Sequence, residues 1–429
     1  MKTRRLNHLV RGRYRARNPF PLWRASSLAL PPGFTFTRSG NGVVFEGSTF
    51  AGRLVVTKGT DVPRFEALSG DRQGLLIEGA RTNLLLRSST FDNASWSAVR
   101  TAVTPDIVVG PGGSATGDAM IEDTSVTTTH RISQAVTLAA NTVSCLSVWA
   151  KRVVGTRNLK LSLGAGADEF LAYFDFDTLA VTTATAGTGS VSGSGMIAYP
   201  NGWYRCWVAG IHSTATANPT AYINSASGTN QSYTGDGVSS LGLWNAQLET
   251  AAFPGAAIST SAATVTRNAE TCSRSVTLPS GGFTVVYEVF TAPAPDASLT
   301  QAIAGFDDGS GANRIQIRRA ASTGDLVAFG VASSVGIVNS TVGAMANSTR
   351  HKIAMRVQND NFGISLNGAA VVADTFCTFN FSGMTTEHLG VNHASSEPLH
   401  GHIIACNASS TVWRPPVSDA ELRALSTLA

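Results

Sequence analysis

Trp203-Tyr204-Arg205-Cys206-Trp207-Val208-Ala209, preceded by Asn201-Gly202, alternates two kinds of side chain with a period of two. Trp203, Arg205 and Trp207 share one face, and Tyr204, Cys206 and Val208 share the other. The stretch reads as a β-strand with an apolar inner side and an aromatic, cationic outer side. Leu146-Ser147-Val148-Trp149-Ala150-Lys151 repeats the arrangement, because Leu146, Val148 and Ala150 form its apolar face and leave Trp149 beside Ser147 and Lys151.

The same grammar extends in both directions. Strands are expected at Ile132 to Val136, Val143 to Ala150, Leu159 to Leu163, Leu171 to Asp177, Ala221 to Asn224 and Leu241 to Glu249, separated by Gly, Asn, Asp and Ser clusters. A second run holds Phe283 to Phe290, Arg314 to Arg318, Leu326 to Val331, Lys352 to Val357, Gly363 to Leu366, Val371 to Asp374 and Gly401 to Ala405. Within it Asn367-Gly368 predicts a type I′ turn, since both residues tolerate positive φ. One helix is expected at the end, where Ser418 stands three residues before Glu421 as in a capping box, with Leu422 and Leu425 to dock it.

With 429 residues the chain exceeds what one core usually serves. Hydrophobic residues make up 43% and charged residues only 14%, which favours strands and tight turns over charged helices. The expectation is an all-β protein with two antiparallel β-sandwiches, or jelly rolls, following an extended arm and a small β connector. The boundaries fall at 1–33 (basic arm), 34–87 (connector or collar), 88–268 (first sandwich) and 269–429 (second sandwich with its short helix).

The net charge of +4 conceals an asymmetry. Eight basic residues and no acid precede residue 25, which leaves 24 basic and 28 acidic residues in a body of net −4. A general nucleic-acid-binding surface is excluded on that balance. Arg4, Arg5, Arg11, Arg13, Arg15, Arg17 and Trp23 are read instead as an anchor that docks on a partner surface. The five cysteines are widely spaced with no C-x-x-C pair, which predicts buried free thiols in a chain folded in a reducing cytoplasm. No apolar run approaches a membrane span or a secretory signal core, so no membrane insertion and no classical export are expected.

An ordered set of segments resembles structural proteins of tailed bacteriophages, prophages and gene transfer agents. The set is Phe34-Thr-Phe-Thr-Arg38, Val62-Pro-Arg64-Phe65, Gly74-Leu-Leu-Ile-Glu78-Gly-Ala-Arg81-Thr-Asn83, Asn201 to Cys206, Tyr233-Thr-Gly-Asp-Gly237, Leu243 to Glu249, and Phe253-Pro254. The resemblance implies a carbohydrate-binding-module-like jelly roll after the Arg-Thr-Asn motif. By layout, the second run looks like a concanavalin A-like or laminin-G-like sandwich. A virion fibre, spike or adhesin is implied, made in the host cytoplasm and used for host attachment. Its partners would be other virion proteins of head, portal or tail, host-surface polysaccharide, and further copies of itself in a homo-oligomer. The alternatives are a glycan depolymerase and a purely architectural virion component.

Trp149, Trp203, Arg205 and Trp207 are the candidate glycan-binding residues, since sugar C–H faces pack on aromatic rings. The competing reading places the same tryptophans in a core or between domains. Asp175 and Asp177, expected on one strand face, and the loop Phe306-Asp307-Asp308-Gly-Ser-Gly311 are acidic enough to raise a structural calcium, but they lack ligand spacing. His400-Gly401-His402 looks like the metal-holding H-x-H of trimeric fibres, although turn and surface histidines are commoner. No catalytic motif is found, and the expectation is no enzyme, no cofactor and no metal.

Overall fold

The computed structural model describes residues 22–50, 52–70, 72–165, 168–212, 220–295 and 299–428. The chain is all-β, with two antiparallel sandwiches. The first pairs two six-stranded sheets. One runs Ser190–Ala198, Tyr204–Ile211, Ser144–Val154, Ser240–Glu249, Ala115–Glu122, Thr101–Val109, and is called here the tryptophan sheet. The other runs Val181–Ala186, Asp168–Phe174, Asn158–Ala165, Thr220–Ala226, His130–Ala135, Ser97–Val99, and is called the outer sheet. Leu146, Val148, Cys206 and Val208 meet Leu159, Leu161, Phe170 and Ile223 in the core between them. The inner side of the Trp203 strand is therefore the side its alternation indicated.

The second sandwich encloses its own core, with Phe283, Tyr287, Phe306, Ile317, Met355 and Ile403 among its members. Its first sheet centres on Phe283–Phe290 between Arg350–Val357 and Gly401–Asn407, and its second on Gln301–Asp307, Arg314–Arg319 and Asp325–Ala332.

The connector at 34–87 is divided among these sheets. Thr35–Thr37 pairs with Thr271–Ser275 at the edge of the second sheet, and Arg64–Leu68 and Arg72–Ile77 extend the first through Gly401–Asn407. Phe36, Phe65, Leu75 and Ile77 are the reason, because they need a core and join that of the second sandwich. Gly42–Glu46 and Leu54–Lys58 form a separate hairpin.

The expectation for the arm is corrected at Trp23. Leu22–Arg24 pairs with Gly401–Asn407, Trp23 is 7% exposed within the core, and its Nε1 donates to the Ala29 carbonyl at 2.8 Å. A residue so covered by its own chain is not a free anchor. Arg4, Arg5, Arg11, Arg13, Arg15 and Arg17 lie outside the described residues.

The turn and the cap form. Asn367 and Gly368 adopt φ of 51° and 79°, and Ala369 N–H donates to the Leu366 carbonyl at 2.9 Å. Ser418 caps helix Asp419–Ser426 by accepting from Glu421 N at 3.3 Å, and Leu422 is fully buried on the sheet. The Glu421 carboxylate turns to Arg414 at 2.8 Å. Ser418→Ala is expected to destabilise the chain by about 1 kcal/mol, readable as a lowered urea midpoint.

Candidate functional site

The four glycan candidates are all buried, with Trp149 and Trp203 at 0% and Arg205 and Trp207 at 4% exposure. The reading of an exposed aromatic face is thereby corrected. The alternation is right, but the face it presents is a joint. Phe45 and Tyr199 cover Trp149, with ring centroids at 5.9 and 5.7 Å, and Trp244 meets it edge-on at 5.2 Å. The Trp203 Nε1 donates to the Val109 carbonyl at 2.8 Å. Trp207 lies against Gly195 of the neighbouring strand, where an added Cβ would come within 2.6 Å of its Nε1. Arg205 stacks on Trp149 at 4.1 Å and donates to the Gly255 carbonyl and to Ser147 Oγ.

The segments that carry the resemblance build the rest of this joint. Arg38 Nη1 and Arg64 Nε both reach Glu270 Oε1 at 2.7 Å. Arg64 Nη2 bridges Glu270 and Glu78, each at 2.7 Å. Arg267 meets Glu78 at 3.1 Å. Burial works against ionisation of Glu78, yet the guanidiniums of Arg267 and Arg64 outweigh it and hold the carboxyl below its ordinary range. The network ties the link between the sandwiches to the strands on either side.

The remaining acidic candidates are engaged locally, and the two histidines have different surroundings. The strand ends at Phe174, and Asp175 accepts from the N–H groups of Asp177 and Thr178, so the two aspartates do not share a strand face. Burial tends to raise the Asp308 carboxyl, but bonds from Ser310 and Asn313 prevail and bring it to about 2. His402 Nε2 meets Glu66 at 3.0 Å, and His400 sits before the strand with φ 50°. No cluster of three or more metal-ligating side chains occurs among the described residues. All five cysteines are buried and free, and no helix among the described residues is long and apolar enough to cross a membrane.

A different face has the makings of a binding site. On the outer sheet, Ile132, Ile223, Leu159, Leu161 and Phe174 point inward, so the alternate positions point away from the core. Strand register then sets Arg131, Asn224, Lys160 and Tyr173 in one row across four strands. A second row holds Ser133, Tyr222 and Ser162. The Arg131 guanidinium lies over the Tyr222 ring at 4.9 Å, and Lys160 Nζ bonds Glu169 at 2.8 Å and Gln231 at 2.6 Å. Burial lowers the Lys160 ammonium against the pull of Glu169.

Three polar atoms of these rows, Arg131 Nε, Asn224 Oδ1 and Ser162 Oγ, are buried without a protein partner. Buried polar groups are normally paired, so a donor, an acceptor and a hydroxyl left open on one sheet face are unusual. The sequence held the signal, since these residues alternate with the leucines of strands already recognised.

No family model matches the chain, and no curated protein matches it. Among solved structures it is similar to the carbohydrate-binding module of the Ruminococcus gnavus IT-sialidase bound to α2,3-sialyllactose, at 16% identity over 34% of this chain and 83% of that one, with a TM-score of 0.29. It is also similar to the tandem CBM22 domains of Paenibacillus barcinonensis Xyn10C, at 13% identity over 77% of this chain and 98% of that one, with a TM-score of 0.24. A third is the mouse laminin alpha1 chain, domains LG4-5, at 10% identity over 77% and 87% and a TM-score of 0.21. At these values the fold is read from the sheets themselves.

Proposed function

We propose that the chain is a non-enzymatic glycan-binding component of a virion and that its glycan site is the polar face of the outer sheet. The observation that carries the glycan reading is the pair of registered rows, in which the half-buried Arg131, Tyr173 and Tyr222 stand beside the buried Lys160, Asn224 and Ser162, and Arg131 Nε, Asn224 Oδ1 and Ser162 Oγ have no protein partner. Sugars need both features: C–H faces for the rings and hydroxyls for fixed donors and acceptors. Glycoside cleavage takes two carboxylates flanking the bond. In these rows the nearby acid is Glu169, engaged by Lys160. The virion placement, as fibre, spike or adhesin, rests on the ordered motif resemblance alone.

The test is binding of purified chain to host-surface polysaccharide. Arg131→Ala and Tyr222→Ala alter side chains that are only half-buried, so each is expected to weaken binding about tenfold, or about 1.4 kcal/mol, with little change in thermal midpoint. Unchanged binding by both variants would remove the site from this face. Incubation with the polysaccharide is expected to release no new reducing ends, and their appearance would favour the depolymerase.

A further inference from the structure

Val181–Ala186 closes one end of the outer sheet, and among the described residues its far side meets no other strand. Thr182 to Ala186 are exposed and Val181 is half-buried. Asp175 N–H donates to the Ala180 carbonyl at 3.0 Å, and the register with Asp168–Phe174 then runs unbroken from Val181 opposite Phe174 to Ala186 opposite Glu169. Hydrogen-bonded and non-hydrogen-bonded pairs alternate along an antiparallel ladder, so Val181, Thr183 and Thr185 turn their N–H and C=O groups away from the sheet.

An open row of this kind is a template for another strand, and folded chains blunt it with short length, charge, proline or a bulge. The other ends of the large sheets are blunted in these ways. Leu22–Arg24, Thr35–Thr37, Ser97–Val99 and Val372–Asp374 are three residues each. Arg64–Leu68 carries Arg64 and Glu66, Thr101–Val109 contains Pro105 and Asp106, and Ser190–Ala198 and Val335–Ala344 both shift register. Val181–Ala186 has none of these devices, with six residues, no charge, no proline and no register shift.

The strand is its own complement. From Ala180 to Ala186 the sequence is Ala-Val-Thr-Thr-Ala-Thr-Ala. When a second copy lies antiparallel beside it with Thr183 opposite Thr183, Val181 meets Thr185, Thr182 meets Ala184 and Ala180 meets Ala186. The outward-turned residues then meet only one another, which is the condition for exchanging hydrogen bonds. Those pairs match β-branched side chains, and no opposed pair places like charges together. The nearest acids are occupied elsewhere, Glu169 by Lys160 and Asp177 by Arg152. A strand that fits itself about a two-fold axis suits the commonest symmetry of oligomers.

We propose that Val181–Ala186 pairs with the same strand of a second copy, so that two outer sheets fuse into one continuous sheet. The two-fold axis stands perpendicular to that sheet, and both polar faces look the same way. The pairing itself does not depend on the glycan reading. Where that reading holds, two sites on one side engage a polysaccharide with avidity.

The experiment is sedimentation equilibrium of the full chain over a range of concentrations, without glycan. A reversible monomer–dimer equilibrium is expected. Thr182→Lys with Ala184→Lys sets like charges opposite each other across the axis, as does Thr182→Glu with Ala184→Glu. Each double variant should dimerise about tenfold more weakly than the parent, with its thermal midpoint unchanged. Mixing the basic with the acidic variant should restore a dimer, now of one chain of each kind. The proposal is overturned if the parent chain stays monomeric up to its solubility limit, if it assembles as a trimer, or if the like-charged variants dimerise as well as the parent. It is equally overturned if the two oppositely charged variants fail to combine.

Discussion

Trp203→Ala is expected to destabilise the chain by about 3–5 kcal/mol, the range for truncating a buried aromatic side chain. The indole is fully covered and shares a cluster with Phe45, Trp149 and Trp244. Its removal would also leave the Val109 carbonyl without the N–H that now reaches it at 2.8 Å. Gly117 lies under the ring, where an added Cβ would approach within 3.1 Å, so on that side no side chain is present to fill the hole. Urea denaturation is the measurement, with m and midpoint both reported. Binding to the outer-sheet face should survive in whatever fraction stays folded. A midpoint that hardly moves would mean the ring is uncovered in solution and would return it to the list of ligand contacts.

This residue also shows where the sequence stops being informative. A period of two tells which side chains share a face, and the division at Trp203 to Val208 is the one observed. It does not tell what lies over that face. The cover at Trp149 comes from Phe45, about a hundred residues earlier, and at Trp207 from Phe253 and Ala292, which follow it by roughly fifty and eighty-five. Local alternation carries no term for such distant partners, so a joint and an open binding face look alike. The same limit explains the connector, which reads as a small β element from the sequence while the sheets its strands join do not.

Strands that break the rule were missed for local reasons. Thr101–Val109 contains Pro105 and pairs with Ala115–Glu122 through two register shifts, around Gly117. Ser190–Ala198 is rich in serine and glycine, which have weak β-propensity. Its Gly193 and Gly195 admit the Trp207 ring, so a tertiary contact accounts for residues that propensity would reject.

Glu270→Ala tests what the resemblance segments are for. The side chain is fully buried and holds Arg38 and Arg64, both equally buried, at 2.7 Å. Its removal leaves two guanidiniums close together with one carboxylate fewer, and breaking a buried pair in this way typically destabilises by about 3–5 kcal/mol. Loss of the midpoint in urea, together with greater proteolysis near the link between the sandwiches, is the expected result. The acid limb follows from Glu78. Its folded carboxyl is depressed, so its contribution is fully present above the unfolded value near 4.3 and declines as pH falls toward the folded one. Stability should therefore be insensitive to Glu78 between pH 7 and about 5 and should fall below about 4, with Glu78→Gln flattening that limb. If Glu270→Ala unfolds at the same urea concentration as the parent chain, the network is not what fixes the joint.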